Sequence, residues 1–146
     1  MQSRITLIIH ERLGNWARQL RPRMISPTLK VRETRSAADL ALAVQQDRFA
    51  LVVVDLRSGP AEMLADLNQN REQLADTLTL VLDPDQNPAA ATLAQELGVT
   101  LVRSGFVSPP DIVRLLEQWA LLAQQRINAS GWFQPQTSGD LAALQG

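Results

Sequence analysis

The chain has 146 residues, 45% hydrophobic and 20% charged, with a formal net charge of −1. That describes one globular domain with little chain left for a second. There are no cysteines, which excludes disulfides, thiolate metal sites and cysteine nucleophiles. The apolar run near the N-terminus is too short for a signal peptide or an anchor. No later run approaches the length that spans a bilayer, so the expected location is the cytoplasm, away from membrane. The charge is uneven. Residues 1–35 carry eight basic and two acidic groups, and the remainder six and thirteen. A basic face attracts acidic partners, but this one has no aromatic interleaving or recognition motif. It reads as solvated surface, and nucleic acid is not an expected partner.

Residues 5–9, ITLII, read as a buried strand ending at His10 and Glu11. Residues 15–24 have a helical phase from Trp16 and Leu20, with Pro22 placed to end it early. LKVRET, residues 29–34, alternates with period two and reads as an edge strand. Ser36 offers an N-cap for a helix with Leu40 and Val44 on one face. Residues 50–56, ALVVVDL, form an uninterrupted apolar run, which predicts a strand covered on both faces. A helix with Met63, Leu67 and Leu74 along one side follows, then a fourth strand over residues 77–82. The next helix has Pro88 at its start and Gly98 as its stop. A fifth strand over residues 99–103 precedes a long last helix capped by Ser108.

Five strand–helix pairs spaced by roughly 20–25 residues predict a parallel sheet with helices on both faces. The natural order is the flavodoxin-like 2-1-3-4-5. Its functional crevice lies beyond the carboxyl ends of the strands, where strands 1 and 3 diverge. Asp55 stands at that end of strand 3, and His10 and Glu11 at that end of strand 1. A carboxylate closing a buried apolar run costs free energy unless something solvates or pairs it. It sits there either to serve a site or to cap the loop that follows. The first strand–helix turn, HERLGN, has one glycine, so it is neither a dinucleotide fingerprint nor a P-loop.

This arrangement resembles the receiver domain of bacterial response regulators, over residues 4–125. In that family an acidic pair after strand 1 and an aspartate ending strand 3 bind magnesium, and the aspartate accepts a phosphoryl group. A Thr or Ser ends strand 4 and a Lys ends strand 5. The resemblance puts Asp55 at the phosphoacceptor position. It puts His10 and Glu11 at the acidic pair, giving His10, Glu11 and Asp55 as the candidate metal pocket. The switch positions fall on Asp83 and on Arg103 or Ser104. The departures weaken phosphoryl transfer. Imidazole is a poor magnesium ligand, Asp83 brings negative charge where a hydroxyl should report phosphorylation, and arginine replaces the lysine point charge with a different geometry. The reading is a pseudo-receiver that is not an enzyme, has no catalytic residue and no cofactor, and acts through protein–protein contact. Two alternatives stay open: an active receiver using Asp55 and magnesium, and a flavodoxin-like domain that binds a small ligand.

The last helix has a stripe at Ile112, Leu115, Leu116, Trp119 and Leu122 that should face the sheet. Val113, Ala120 and Leu121 lie largely off that stripe, so the helix is apolar on more than one face; with Trp119 they are the interface candidates. The expected partner is another protein or effector domain, or a second copy paired through helices 4 and 5. The domain is expected to span residues 1–126. Residues 127–146, rich in Gly, Ser, Gln, Asn and Pro, read as a flexible tail or the start of a linker, with Trp132 and Phe133 as its apolar contact points.

Overall fold

The computed structural model describes residues 4–24, 29–57 and 59–130. Five strands alternate with five helices: β1 (Ile5–His10), α1 (Asn15–Leu20), β2 (Leu29–Thr34), α2 (Ala37–Gln46), β3 (Leu51–Asp55), α3 (Pro60–Gln69), β4 (Leu78–Asp83), α4 (Pro88–Glu96), β5 (Leu101–Ser104) and α5 (Pro109–Ser130). All neighbours pair in parallel, in the order β2-β1-β3-β4-β5, which is the flavodoxin-like order. β2 is an edge strand, as its alternation predicts, and every residue of the central β3 is buried.

Period two divides the core in two. Leu7, Ile9, Leu51, Val53, Leu80 and Leu82 face α1 and α5. Ile8, Val52, Val54 and Val81 face α2, α3 and α4. This alternation continues past the strand ends and decides which rim residues meet.

Local chemistry sets the helix ends. The Ser36 hydroxyl accepts from the Asp39 N–H and Asn87 Oδ1 from the Ala90 N–H, each satisfying a first-turn donor. Pro22 ends α1 at Leu20 instead of Met24, and residues Arg21–Arg23 tighten into a 3-10 turn. β5 begins at Leu101, two residues later than expected, because Gly98 and Val99 complete the turn out of α4.

The last helix departs furthest from the sequence reading. Its buried positions are Ile112, Val113, Leu116, Trp119, Ala120, Ala123 and Ile127. Val113, Trp119 and Ala120 therefore belong to the core and not to an interface. Leu122, expected against the sheet, is exposed, and Leu121 is the one interface candidate at the surface. The stripe is still helical in period but turned toward the alanines, because Ala120 and Ala123 let the backbone approach the sheet closely. The helix also runs through residues 127–130, and Ile127 packs in the core. The expected boundary at residue 126 thus falls inside α5. Trp132 and Phe133 lie outside the described residues.

Candidate functional site

Glu11 directly follows β1 on the side of Ile9, and Asp55 ends β3 on the side of Val53. Both therefore face α1. They line one open cleft of about 210 Å³ with Leu13, Asn15, Arg18 and Arg57. Gly14, at φ 72°, supplies the left-handed turn that swings the chain from β1 into α1. The Arg35 guanidinium lies 3.1 Å from where a Cβ would project, so the loop is closely packed there as well.

Glu11 is already occupied. Its two carboxylate oxygens accept from the Trp16 N–H at 2.9 and 3.0 Å, and Oε1 also meets the Ala17 N–H at 3.4 Å. Those are first-turn donors of α1, whose own N-cap residue, Gly14, has no side chain to satisfy them. Glu11 thus reaches over from the strand end to cap the helix. Burial is the main influence on its carboxyl and raises its pKa; the Trp16 and Ala17 N–H groups oppose that, and Asp55 adds to it.

Asp55 is also almost fully buried. Its Oδ1 accepts from the Arg57 N–H at 2.9 Å, closing the turn after β3. Burial raises its pKa, against the Arg57 N–H and the Arg57 charge, while Asp85 raises it further. The Trp16 indole N–H is buried with no acceptor at hydrogen-bonding distance and angle. It lies near enough to Asp55 to favour the charged carboxylate weakly.

His10 does not join them. It shares the sheet face of Ile8, points toward α3 and is completely buried. Its register partner in β2 is Thr34, and Nδ1 lies 2.8 Å from the Thr34 hydroxyl. Nε2 lies 2.8 Å from Asp66 Oδ2, which also accepts from the Arg12 guanidinium at 3.0 Å. A carboxylate only accepts, so the proton is assigned to Nε2, and Nδ1 accepts from Thr34. Burial lowers the His10 pKa more than Asp66 raises it, consistent with that neutral ring. The expected pocket of three side chains therefore reduces to Glu11 and Asp55. The sequence reading missed Asp66; the signal that could have found it is its i+3 spacing from Met63, which puts it on the buried side of α3.

Asp83 and Ser104, two of the three switch candidates, are likewise committed. Asp83 accepts from the Asn87 N–H at 3.0 Å and from the Ser104 hydroxyl at 3.2 Å. It ties the β4–α4 turn to the end of β5, its register neighbour. Arg103 is exposed and lines a separate depression with Ser104 and Phe106.

Magnesium prefers several oxygen ligands in near-octahedral geometry. Here one of the two carboxylates is spent on backbone donors, and His10 faces the wrong side. Among the described residues no group of three or more His, Asp or Glu side chains is arranged to hold a metal ion. The donor set does not fit the ion that the resemblance implies.

No family model matches the sequence, and no curated protein matches it. Solved structures do match in fold. A receiver domain from Methanospirillum hungatei superimposes with a TM-score of 0.66 at 12% identity, over 85% of this chain and 99% of that one. The fold is that of the response-regulator receiver domain. The receiver domain of NarL from Mycobacterium tuberculosis gives 0.65 at 13% identity, covering 82% and 98%. A Burkholderia pseudomallei protein described as pilus assembly-related has the same receiver fold, with a TM-score of 0.62, 17% identity and coverage of 85% and 93%. Among the described residues no helix of this receiver-fold domain is long and apolar enough to cross a membrane.

Proposed function

We propose that this chain is a cytoplasmic signalling module of receiver fold that works by protein–protein contact, not as an enzyme, and without a conventional aspartyl-phosphate cycle. The observation that carries this reading is the commitment of Glu11 to the first turn of α1. A carboxylate that holds two backbone N–H groups has little left to offer a dication, and Asp55 alone is a poor magnesium site. Asp83, where a switch hydroxyl would stand, brings charge that opposes an incoming phosphoryl group and already holds two other donors. The receiver-fold protein described as pilus assembly-related supports use of this fold beyond proteins called response regulators.

One observation favours the active-receiver alternative: Arg18 and Arg57 line the cleft beside Asp55 and would neutralise phosphoryl oxygens. Incubation with acetyl phosphate and magnesium, followed by intact mass measurement, separates the two. The unmodified mass is expected. A gain of one phosphoryl group that disappears in Asp55→Ala establishes the active receiver instead. The small-ligand alternative draws less support, because the crevice between β1 and β3, where that reading puts the ligand, is a cleft of about 210 Å³, below the range of about 300–1,000 Å³ usual for small-molecule sites.

A further inference from the structure

β2 closes one side of the sheet, and among the described residues no strand pairs with its outer edge. The Glu11 N–H donates to the Thr34 carbonyl at 3.2 Å, with His10 in register opposite Thr34. Alternate residues of a parallel strand send their backbone groups to opposite sides. Lys30, Arg32 and Thr34 therefore bond to β1, and Leu29, Val31 and Glu33 turn their N–H and C=O groups outward. Such a row of open groups is a template for another strand.

The side chains alternate as well. Leu29 and Val31 are half-buried at the border of the core beneath α1 and α5. Lys30 and Arg32 lie on the α2 side, where the Arg32 guanidinium donates to the Gln46 side-chain carbonyl. The edge thus has an apolar side and a cationic side.

Residues 15–35 carry six basic groups and one acid. That acid, Glu33, meets Arg21 at 3.1 Å and Arg35 at 3.7 Å. α2 and the residue after it bring two more acids to this edge. Asp39 accepts from the Arg35 backbone N–H at 3.3 Å. Asp47 accepts at 2.7 Å from the hydroxyl of Thr6, the register partner of Lys30. Lys30 holds no carboxylate among the described residues, and the neutral Gln46 amide leaves the Arg32 charge uncompensated. Like charges set opposite one another are destabilising, so these two cations oppose pairing of β2 with its own copy.

We infer that the outer edge of β2 takes up an extended acidic segment of a partner protein as an added strand, with carboxylates set against Lys30 and Arg32 and apolar side chains beside Leu29 and Val31. The inference rests on the protein-contact reading above and gives that contact a place and a chemistry. In strand addition the main-chain hydrogen bonds supply affinity and alternate side chains supply specificity. Here the open groups of Val31 and Glu33 provide the first. The alternation of cationic and apolar positions provides the second, and it selects a segment in which acids alternate with apolar residues. A nucleic acid answers the charge but leaves the open backbone and the apolar side unused.

The probe is a fluorescein-labelled peptide of alternating glutamate and valine, as long as β2. A lysine–valine counterpart tests the charge, and a backbone N-methylated copy of the acidic peptide tests the main chain. Titration into the full chain is followed by fluorescence anisotropy and by amide hydrogen exchange in ¹⁵N–¹H spectra. The acidic peptide is expected to bind with a Kd below about 1 mM and to slow exchange of the Val31 and Glu33 amides. The lysine peptide and the N-methylated peptide are expected not to bind. Val31→Pro removes an outward donor and no bond to β1, a change that edge strands tolerate, and it should weaken binding at least fivefold. Lys30→Glu combined with Arg32→Glu should transfer binding to the lysine peptide, and Arg71→Glu, beyond α3, should change nothing. Melting curves check that the variants fold. Unchanged exchange at Val31 and Glu33, equal binding of the acidic and lysine peptides, or full binding of the N-methylated peptide overturns the inference. Sedimentation that shows self-association abolished by Val31→Pro overturns it too, because the occupant is then a second copy. Phosphorylation of Asp55 with peptide binding intact would defeat the proposed function and leave the edge site standing; no phosphorylation and no binding would do the reverse.

Discussion

His10 and Glu11 are adjacent in the chain and end in opposite kinds of environment. On the α3 side, His10, Thr34, Asp66 and Arg12 form a closed network in which His10 has a partner at each ring nitrogen. On the α1 side, Glu11 and Asp55 line an open cleft, are both drawn toward their neutral forms by burial, and are held chiefly by backbone N–H groups. The first arrangement fixes α3 and the β1–α1 loop to the sheet. The second leaves arginines and an indole N–H beside a cleft open to solvent. A strand end can thus carry a closed structural cluster and the wall of an open cleft one residue apart, because period two sends them to different faces.

The largest expected effect is on the closed side. Asp66→Ala removes the shared partner of His10 and Arg12 and leaves buried donors unpaired. Breaking such a network costs about 3–5 kcal/mol when a buried charge is stranded and about 1–3 kcal/mol for a neutral group. A loss of about 2–4 kcal/mol in urea unfolding is expected. A loss below about 0.5 kcal/mol, the usual size for surface substitutions, would show that the network is not structural.

Next comes Glu11→Ala, which uncaps α1. Caps contribute about 0.5–2 kcal/mol, so about 1 kcal/mol should be lost. If Glu11 were instead a repelling member of an acidic metal pocket, the same substitution would stabilise the protein. Addition of magnesium to the wild type would then raise Tm, and no such rise is expected.

The third comparison is pH dependence, where the two sides have opposite signs. His10 has a pKa below its ordinary value of 6.5. Its stabilisation is therefore complete above pH 6.5 and is lost as pH falls through the lower folded value. Asp55 has a pKa above its ordinary value of 3.8. Its contribution is complete below that value and is lost as pH rises through the folded one. Asp55→Asn should therefore melt higher than wild type near neutral pH, and the difference should close in acid. His10→Asn should be less stable than wild type near neutral pH and show less loss on acidification. Parallel profiles for wild type and Asp55→Asn would mean that Asp55 does not experience the burial described.

The smallest effect is expected outside both regions. Leu121 is 69% exposed, so Leu121→Glu should shift stability by less than about 0.5 kcal/mol. In sedimentation at tens of micromolar it should dissociate any dimer that forms through α5. A monomeric wild type with an identical variant removes α5 as a self-association face.

Much of the fold was legible because it follows from local pattern. The apolar run of β3, the alternation of β2, the Ser36 cap and the glycine after α4 each report a local constraint, and five strand–helix repeats leave few topologies. Alternation also contained the separation of His10 from Glu11, since Ile9 and Glu11 share one face while Ile8 and His10 share the other. The spacing of Asp66 from Met63 on α3 carried a signal for its burial that the sequence reading passed over. The phase of α5 was less legible: an apolar-residue count favours Leu122 over Ala123, but close approach to a sheet rewards the smaller side chain.

The sequence by itself determined the strand order, the two-sided cover of the sheet and the presence of carboxylates at its carboxyl rim, because periodicity and turn chemistry act over a few residues. Only the tertiary structure decided what those carboxylates touch. The capture of Glu11 by α1, the tie of Asp83 to Ser104, the pairing of His10 with Asp66 across 56 positions and the exposure of Phe106 each depend on elements distant in the chain. Hydrogen-bond partners are chosen within a few ångströms, and no local pattern records which segments the packed core brings that close.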